Sequence, residues 1–304
     1  MIDYPSILNE IYVNLKDQKN KGKVSDYIPE LSQVDINNFG IHLSLLNGES
    51  YSAGNSYTPF SIQSISKVFS LLKAFSIMGN DLWKRVDVEP SGNPFNHLSL
   101  LELENGIPRN PLINAGALVI ADILISNLKN PKNDFLQFVR LIANDQSIDF
   151  DYKVSKSEKE TGFKNFAAAN LLKSFKNLHN SVEEVLDFYF HQCSIQMSCE
   201  QLANAFQLFA NHGVCRQNKV HSSPSHIKRI NAIMLTCGFY DEAGEFAFEV
   251  GLPGKSGVGG GIAALLPNKF TITTWSPGLN RKGNSLLGMQ ALEQFTTKTG
   301  LSIF

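Results

Sequence analysis

The sequence predicts a mixed fold, of the α+β or α/β class, in which one antiparallel sheet is built from both ends of the chain and flanked by helices. Apolar residues alternate as in strands at residues 39–54 and again at 245–277. Between these stretches the chain shows helical spacing and no strand pattern, which predicts an inserted all-helical domain. Residues 1–58 and 223–304 then form the sheet domain and residues 59–222 the helical domain, with a functional cleft at their interface.

The first predicted elements are a helix, a loop and a hairpin. Residues 4–18 have helical periodicity, and the polar stretch that follows ends this helix. Residues 22–31 show no clear period and are predicted to be a loop, since Pro29 favours extended backbone before it. Residues 39–54 alternate as strands around an Asn-Gly pair at 47–48, which is a strong hairpin signal.

Helices are predicted for the middle of the chain, and strands return after it. The predicted helices are residues 60–78, 113–128, 133–145, 165–175, 181–192, 199–211 and 225–236. The predicted strands, separated by glycine, proline and asparagine turns, are residues 245–253, 259–267 and 269–277. Residues 285–300 form a last amphipathic helix.

The composition limits the partners of the protein. Its 304 residues include 27 Lys and Arg against 28 Asp and Glu, so the net charge is -1. Nucleic acid and anionic lipid need a cationic face, which this balance does not favour. The expected ligand is therefore a small neutral or zwitterionic molecule.

The sequence also predicts a soluble cytoplasmic protein. The N-terminal segment is amphipathic and acidic, whereas a signal peptide has a continuous apolar run. The longest apolar run, residues 112–125, is interrupted by Asn114 and Asp122 and is too short to cross a bilayer. The cysteines lack metal-ligand or paired spacing and are expected to be reduced and partly buried. They are Cys193, Cys199, Cys215 and Cys237.

The first candidate catalytic pair is Ser64 and Lys67, an S-x-x-K motif on the predicted helix 60–78. Side chains three residues apart lie on the same side of a helix, so the lysine amine can take the proton of the serine hydroxyl. Ser61 is predicted to cap the helix, which puts Ser64 in the first turn near free N–H groups. Such a base needs a desolvated pocket and a second cation to lower its pKa. The alternative is a chance match with a solvated lysine.

A second motif, GKSGVGGG at residues 254–261, offers that second cation. A phosphate-binding loop is excluded because Glu249 stands where its first glycine is required. Two possibilities are left: a strand that carries Lys255, as the K-T-G element does in serine acyl-transferring enzymes, or a glycine-rich turn with a solvated lysine. On a strand, the Val258 N–H can face the Ser64 N–H as an oxyanion hole.

Asn114, Glu158 and Asn165 are candidate ligands of a small polar molecule. Asn114 begins an apolar helix, so its side chain either binds an amide or carboxylate or satisfies backbone groups as a cap. Glu158 and Asn165 offer an anionic and an amide group. Glu158 also fits a capping box with Ser155, which predicts a solvated helix start instead.

The candidate tyrosines and the histidines give weaker signals. Tyr189 and Tyr240 lie in aromatic and apolar segments and Tyr27 in the early loop, where each fits a core or surface role as well as a functional one. None of the seven histidines has a companion at metal-ligand spacing. No metal site is therefore predicted from the histidines.

Taken together, several segments resemble the serine-dependent bacterial-type glutaminases over nearly the whole chain. The segments are DYIPEL (26–31), QSISKVFSL (63–71), EPSGNPFN (89–96), GIPRNPLINAGAL (106–118), SEKETGFKN (157–165), LDFYFHQCSI (186–195) and GEFAFEVGLPGKSGVGGGI (244–262). Their number and order make a chance match negligible. The resemblance implies a β-lactamase/transpeptidase-like catalytic fold and the hydrolysis of L-glutamine to L-glutamate and ammonia.

The resemblance also implies roles for individual residues. Ser64 would form a γ-glutamyl acyl-enzyme with Lys67 as its base, while Tyr189 and Lys255 would help to move protons to the leaving ammonia. Tyr27 would belong to a loop that closes over the site. By motif position, the substrate contacts would be Ser64, Asn114, Glu158, Asn165, Tyr189, Tyr240 and Val258. No metal or cofactor would be needed, and a homodimer or homotetramer is expected.

The sequence departs from the family pattern at two positions, and two rival interpretations stay open. Lys164 stands where arginine is common in the family and Gly254 where alanine is common, and neither is one of the expected reacting groups. A β-lactamase or penicillin-binding peptidase is disfavoured because the chain has no S-D-N triplet and no export signal. A non-catalytic binding module is disfavoured because Ser64, Lys67 and Lys255 are all present.

Overall fold

The computed structural model describes residues 2–92 and 97–304. Within these residues the α-helices are α1 (Tyr4–Lys16), α2 (Ser66–Met78), α3 (Ser99–Leu103), α4 (Asn114–Asn127), α5 (Pro131–Ala143), α6 (Tyr152–Thr161), α7 (Phe163–Ser174), α8 (Val182–Cys193), α9 (Cys199–Ala210), α10 (Pro224–Cys237), α11 (Ala243–Glu249) and α12 (Leu286–Thr299). Short 3-10 helices lie at Leu31–Gln33, Gln63–Ile65, Gly79–Lys84 and Tyr240–Glu242. None of the described helices is both long and apolar enough to cross a lipid bilayer.

The described strands form antiparallel sheets. They are β1 (Lys23–Val24), β2 (Gly40–Leu45), β3 (Ser50–Gly54), β4 (Phe60–Ser61), β5 (Asp149–Phe150), β6 (Ile195–Met197), β7 (Gly254–Ser256), β8 (Gly261–Leu266), β9 (Phe270–Trp275) and β10 (Gly278–Leu279). The largest sheet has the order β3-β2-β9-β8-β7, a second has the order β4-β6-β5, and β1 pairs with β10.

The largest sheet is built from both ends of the chain, as predicted. The N-terminal strand β2 pairs with the C-terminal strand β9 in a register that runs from Gly40 opposite Trp275 to Leu45 opposite Phe270. The hairpin between β2 and β3 turns at the predicted Asn-Gly pair, where Gly48 has φ +96°. That backbone conformation suits glycine and few other residues.

Each face of this sheet packs on helices. Ile262, Ala264 and Leu266 of β8 belong to a core shared with α1 and α12, whereas Ala263 and Leu265 belong to a core shared with the helices of the middle of the chain. This division follows from the two-residue period of a strand, which sends successive side chains to opposite faces. The sheet is therefore the layer between the terminal helices and the central helices.

Helix α2 is the buried centre of the helical region. Apolar residues at helical spacing in α2 and just before it are all 0% exposed, and they are Ile65, Val68, Phe69, Leu72 and Phe75. The neighbouring helix α4 is buried on every side over Asn114–Leu124. Asp122 of α4 is 0% exposed and accepts a hydrogen bond from the Arg85 guanidinium at 2.7 Å. The predicted helices for this region agree with α2, α4, α5, α7, α8, α9 and α10, apart from the start of α2.

Three predictions about strands were wrong. The region predicted to be free of strands contains β4, β5 and β6, which are too short to show a two-residue period. Residues 245–249 of the predicted strand 245–253 belong instead to the helix α11, whose buried residues Ala243 and Phe246 follow the helical spacing while Phe248 is 90% exposed. The loop predicted at 22–31 includes the strand β1.

Two predicted helix starts were also wrong. Ser61 lies in β4 and donates its hydroxyl hydrogen to the Cys193 carbonyl at 3.0 Å, so it does not cap α2. The helix start that a capping box of Ser155 with Glu158 would give is also wrong. Helix α6 begins earlier, at Tyr152, because the Asp151 carboxylate accepts hydrogen bonds from the Lys153 and Val154 N–H groups. Of the segment 89–96, which is one of those that carry the family resemblance, residues 93–96 lie outside the described residues.

The prediction that the cysteines are reduced is confirmed, since all four are free thiols, and all four are buried.

Candidate active site

Ser64 lies where the helical region meets the edge strand β7. It belongs to the 3-10 helix Gln63–Ile65, which follows β4 and leads directly into α2, and it is 7% exposed. Gln63 has φ +49°, a left-handed conformation that is uncommon for a residue with a side chain. A Cβ atom at Gly257 would come within 2.6 Å of the Ile62 carbonyl oxygen. The glycine after β7 therefore allows this strand to approach Ser64 closely.

Lys67 is fully buried one helical turn after Ser64. Its Nζ donates hydrogen bonds to the Leu112 carbonyl at 3.2 Å and to Asn114 Oδ1 at 2.7 Å. Burial lowers the pKa of Lys67 to about 8, against the opposing influence of Cys193 and Glu158. A neutral amine has two N–H donors and one lone pair, so these two acceptors leave the lone pair available for a third partner.

Lys255 is the second buried cation. It lies on β7, is 0% exposed, and donates hydrogen bonds to the Gly238 carbonyl at 3.0 Å and the Ser256 carbonyl at 2.6 Å. Burial and then the charge of Lys67 lower its pKa well below the ordinary value. Lys67 is therefore close enough to disfavour the charged form of Lys255.

A chain of side-chain amides leads from Lys67 to Tyr27. Asn114, at the start of α4, accepts from Lys67 and donates through Nδ2 to Asn165 Oδ1 at 2.8 Å. Asn165 in turn donates through Nδ2 to the Tyr27 hydroxyl at 3.2 Å. Asn114 and Asn165 are 3% and 1% exposed. The side chain of Asn114 thus contacts the polar cluster, rather than backbone groups as the capping alternative requires.

Glu158 contributes a buried carboxyl group to the same cluster. It is 1% exposed in the middle of α6, so the solvated capping box with Ser155 was a wrong prediction. Burial raises its pKa to about 7, while the charge of Lys67 and a hydrogen bond with Gln63 lower it. The carboxyl group can therefore change protonation near neutral pH.

The three candidate tyrosines border this cluster. The Tyr189 ring centroid is 5.8 Å from Lys67 Nζ, and the Tyr240 ring centroid is 4.4 Å from Lys255 Nζ. Burial raises the pKa of Tyr189 well above its ordinary value. Burial raises the pKa of Tyr240 to about 12, and the nearby hydroxyl groups of Ser64 and Ser256 oppose this shift. Tyr27 is half-buried and packs in a small apolar cluster that includes Val258.

The structure thus brings all the sequence-predicted site residues to one place. The last of these residues is Val258, which is 6% exposed, follows β7 and belongs to the apolar cluster beside Tyr27. Gln63 and Cys193 also lie in the site, although the sequence predicts a functional role for neither of them. Gln63 directly precedes Ser64, and this adjacency is the one feature of the sequence that could have indicated its place in the site. Cys193 lies one helical turn after Tyr189 on α8 and is 2% exposed. Burial raises the pKa of its thiol to about 12.

Comparison with known proteins gives consistent matches over the whole chain. The family model described as glutaminase matches residues 22–304. A glutaminase of Christiangramia forsetii is 54% identical over 304 residues, covering 100% of both chains, and one of Saccharophagus degradans is 53% identical, covering 100% of this chain and 99% of its own.

Solved structures agree with these sequence matches. A probable glutaminase of Bacillus subtilis superposes with a TM-score of 0.91 at 32% identity, covering 100% of this chain and 99% of its own. A structure titled as Mglu in its glutamate form superposes with a TM-score of 0.93 at 31% identity, covering 100% of this chain and 70% of that chain. These matches define the class of the protein as a hydrolase that acts on a linear amide. Within that class, the chain belongs to the glutaminase family.

Proposed function

We propose that the chain hydrolyses L-glutamine to L-glutamate and ammonia through an acyl-enzyme on Ser64, with Lys67 as the general base. Membership of the glutaminase family supports the overall reaction. The observation that carries the mechanism is the buried Lys67 amine, with a pKa of about 8, one turn after Ser64. A base with a pKa near the working pH is suited to accept a proton from a serine hydroxyl.

The substrate is a free amino acid, and the charges of the site suit it. Glu158 is an anionic partner for the α-ammonium group, and the amides of Asn114 and Asn165 and the tyrosine hydroxyls are donors for the carboxylate and the side-chain amide. Binding of the ammonium group favours the ionised form of Glu158, whose pKa is about 7 in the free protein. The structural relative titled as a glutamate form supports a site for the product in this fold.

Acylation begins when Ser64 Oγ attacks the carbon of the substrate's side-chain amide and the serine proton passes to Lys67. The N–H groups of Ser64 and Val258 are the proposed donors to the oxyanion that forms. The carbon–nitrogen bond then breaks, and the amide nitrogen takes the proton from Lys67 and leaves as ammonia. Tyr189 and Lys255 are the groups proposed to assist this proton transfer, since both lie within the buried cluster around Lys67.

Deacylation uses the same groups in the opposite order. Water attacks the ester carbon while its proton passes to Lys67, and the ester bond to Ser64 then breaks. Lys67 returns the proton to Ser64 Oγ, and L-glutamate is released after its new carboxyl group loses a proton to solvent. Tyr27 is the proposed lid residue, because its hydroxyl accepts a hydrogen bond from Asn165 at the border of the cluster.

The finer features of the architecture are part of this proposal. A β-lactamase/transpeptidase-like fold is supported by the antiparallel sheet from both chain ends and by the S-x-x-K and K-S-G elements beside each other. Residues 1–58 with 223–304 are the proposed sheet domain and residues 59–222 the proposed helical domain. We also propose a cytoplasmic location, and assembly as a homodimer or homotetramer from the family resemblance.

The test is an assay of glutamate release with glutamine, with asparagine and without substrate. Ser64→Ala is expected to abolish ammonia release from glutamine and to leave the circular dichroism spectrum unchanged. Ser76→Ala, an exposed serine on the same helix α2, is the matched control and should keep wild-type turnover. Intact-protein mass spectrometry after rapid acid quenching should detect a glutamyl adduct that is lost in Ser64→Ala.

Two outcomes would overturn the proposal. Unchanged glutamine turnover by Ser64→Ala would remove the proposed nucleophile. Turnover of a chromogenic β-lactam with no release of glutamate from glutamine would favour the β-lactamase or peptidase interpretation instead.

A further inference from the structure

Gln63, the residue before Ser64, is buried in an unusual backbone conformation. It is 2% exposed, and its φ of +49° lies in the left-handed region. A residue with a side chain keeps such a conformation only where its surroundings impose it, and residues of this kind cluster at functional sites. The contacts that hold Gln63 therefore also determine the backbone from which Ser64 begins.

The side chain of Gln63 is anchored through Ser61 to the end of helix α8. Gln63 Nε2 donates a hydrogen bond to Ser61 Oγ at 3.0 Å, and Ser61 Oγ donates to the Cys193 carbonyl at 3.0 Å. A serine hydroxyl has one proton, so an oxygen that gives this proton to the carbonyl can only accept from the amide. Ser61 is 7% exposed and is itself fixed, because its strand β4 pairs with β6 at Gln196. Ser61 thus ties the Gln63 side chain to the backbone of α8.

The carbonyl group of Gln63 is held by Ser66. It accepts one hydrogen bond from the Ser66 hydroxyl at 2.7 Å and another from the Ser66 N–H group. Ser66 lies between Ser64 and Lys67 in the sequence and is 0% exposed. A trans peptide group is planar, with its C=O and N–H pointing in opposite directions. Fixing the Gln63 carbonyl therefore also fixes the direction of the Ser64 N–H.

The glycine-rich segment after β7 packs directly against the turn that carries the nucleophile. A Cβ atom at Gly257 would come within 2.6 Å of the Ile62 carbonyl oxygen, and one at Gly259 would clash with the Ser61 carbonyl oxygen. Val258, whose N–H is the second proposed oxyanion donor, lies between these two glycines in the sequence. The two proposed donors thus belong to segments in direct contact, so a small rotation of either peptide changes the geometry of the pair.

We propose that Ser61 and Ser66 are positioning residues for the oxyanion hole. Their hydroxyls fix the side chain and the carbonyl of Gln63, and this directs the Ser64 N–H toward the oxygen of the substrate's side-chain amide. Neither hydroxyl contacts the substrate in this scheme, and each acts only through Gln63. The inference rests on the proposed function, in which the N–H groups of Ser64 and Val258 bind the oxyanion.

The first test is Ser66→Ala, which removes the hydroxyl and keeps the N–H that also binds the Gln63 carbonyl. An oxyanion donor acts mainly in the transition state, so kcat for glutamine is expected to fall about tenfold, less than the loss of a whole donor causes. The KM for glutamine, and the Kd for L-glutamate from isothermal titration calorimetry, should stay within about twofold of the wild-type values. A variant that disturbs the site in general would lose affinity for L-glutamate as well.

Ser70→Ala is the matched control. Ser70 is on the same helix α2, is also 0% exposed, and its hydroxyl donates to the carbonyl three residues earlier, that of Lys67, at 3.1 Å. The substitution therefore removes the same kind of hydrogen bond about one turn after Ser66. It should leave kcat, KM and the affinity for L-glutamate at wild-type values.

Ser61→Ala is the second test, and it keeps the proposal falsifiable if Ser66→Ala does not fold. Its kcat should fall about fivefold, the effect of one hydrogen bond, with unchanged affinity for L-glutamate. Since Ser61 acts through the Gln63 side chain, the same substitution should have no further effect on kcat in a Gln63→Ala background.

The contrary outcomes are distinct. A wild-type kcat in Ser66→Ala or in Ser61→Ala would overturn the positioning proposal. An equal loss of kcat in Ser70→Ala, or a loss of L-glutamate binding that matches the loss of kcat, would also overturn it, because either would indicate a general structural role. None of these outcomes affects the proposed nucleophile, whose failure would be seen instead as full glutamine turnover by Ser64→Ala.

Discussion

At the scale of single residues, the site depends on two buried ionisable groups whose pKa values are displaced toward neutrality. Burial lowers the pKa of Lys67 to about 8 and raises that of Glu158 to about 7. The proposed reaction needs neutral Lys67 and ionised Glu158. Both forms become more populated as pH rises, so the two groups together produce one acid limb of kcat/KM rather than a bell.

Glu158→Gln tests the proposed ammonium partner. Removing the charge is expected to raise KM for glutamine about 10- to 100-fold, the effect of losing a charge-assisted hydrogen bond, with a smaller change in kcat. The component of the acid limb near pH 7 should disappear, and the component near pH 8 should move to lower pH, because the charge of Glu158 no longer raises the pKa of Lys67. Steady-state kinetics between about pH 6 and 9 measure both effects.

The matched control for this prediction is Glu160→Gln on the same helix. The Glu160 side chain is 63% exposed and only pairs with Lys156 at 3.8 Å, so its KM should be that of the wild type. An unaltered KM in Glu158→Gln, or an equal rise in both variants, would remove Glu158 as the partner of the ammonium group.

At the scale of elements, the close approach of β7 to the 3-10 helix that carries Ser64 is the critical contact. Gly257→Ala places a Cβ atom 2.6 Å from the Ile62 carbonyl oxygen, which is backbone and cannot move aside cheaply. We expect the strand to shift away from Ser64, with a fall in stability of about 1–3 kcal/mol and a loss of activity larger than that stability loss explains. Urea unfolding and kcat/KM, measured on the same sample, compare the two effects.

Gly244→Ala is the control for that substitution. Gly244 lies on the exposed side of α11, and a Cβ atom there would meet nothing within 4 Å. Alanine has the higher helix propensity, so stability should stay equal or rise slightly and activity should not change. Full activity of Gly257→Ala would mean that the spacing between β7 and Ser64 does not control the reaction.

The elements that the sequence predicted correctly are those with long and regular patterns. The Asn-Gly hairpin, the apolar helix α4 and the meander strands β8 and β9 each show their period over many residues. The elements that were predicted wrongly are short, or they depend on contacts with residues that are far away along the chain. Helix α11 has seven residues, too few to separate a helix from a strand. Helix α6 is capped by Asp151, whose carboxylate also accepts a hydrogen bond from Gln196 at 2.7 Å, a contact that no local pattern shows.

The same distinction applies to the site. Ser64 with Lys67 and Lys255 with Ser256 are local motifs, so the sequence could indicate them. Asn114, Glu158, Asn165 and the tyrosines have no motif of their own, and only the family resemblance joined them to the pair. The hydrogen bonds that join Asn284 to Glu242 and to Ser256 had no signal in the sequence, because the partners are 42 and 28 residues away along the chain.

At the scale of the whole molecule, the proposed sheet and helical domains share one apolar core. Ala263, Leu265 and Trp275 of the sheet belong to the same buried cluster as helices α2, α4 and α8. The Trp275 ring stacks on Phe60 at 5.0 Å, and its Nε1 donates to the Gly259 carbonyl at 3.0 Å. The site therefore lies where the two proposed domains pack against each other without a break. Separating the domains would expose the apolar residues of this shared core to water.

A shared core predicts that the sheet domain and the helical domain unfold together. The fluorescence of the two tryptophans, one in each domain, makes this testable. Trp83, in the helical region, contacts the Phe75 ring at 4.9 Å, and Trp275 reports on the sheet. Each of the variants Trp83→Phe and Trp275→Phe keeps a single tryptophan, whose fluorescence then reports on the unfolding of one domain. In both variants, the urea midpoint from fluorescence should coincide with the midpoint from far-UV circular dichroism, because unfolding either part removes core from the other. A fluorescence transition of Trp83 or Trp275 that precedes the loss of helix would show that the boundary opens by itself, as weakly coupled domains do.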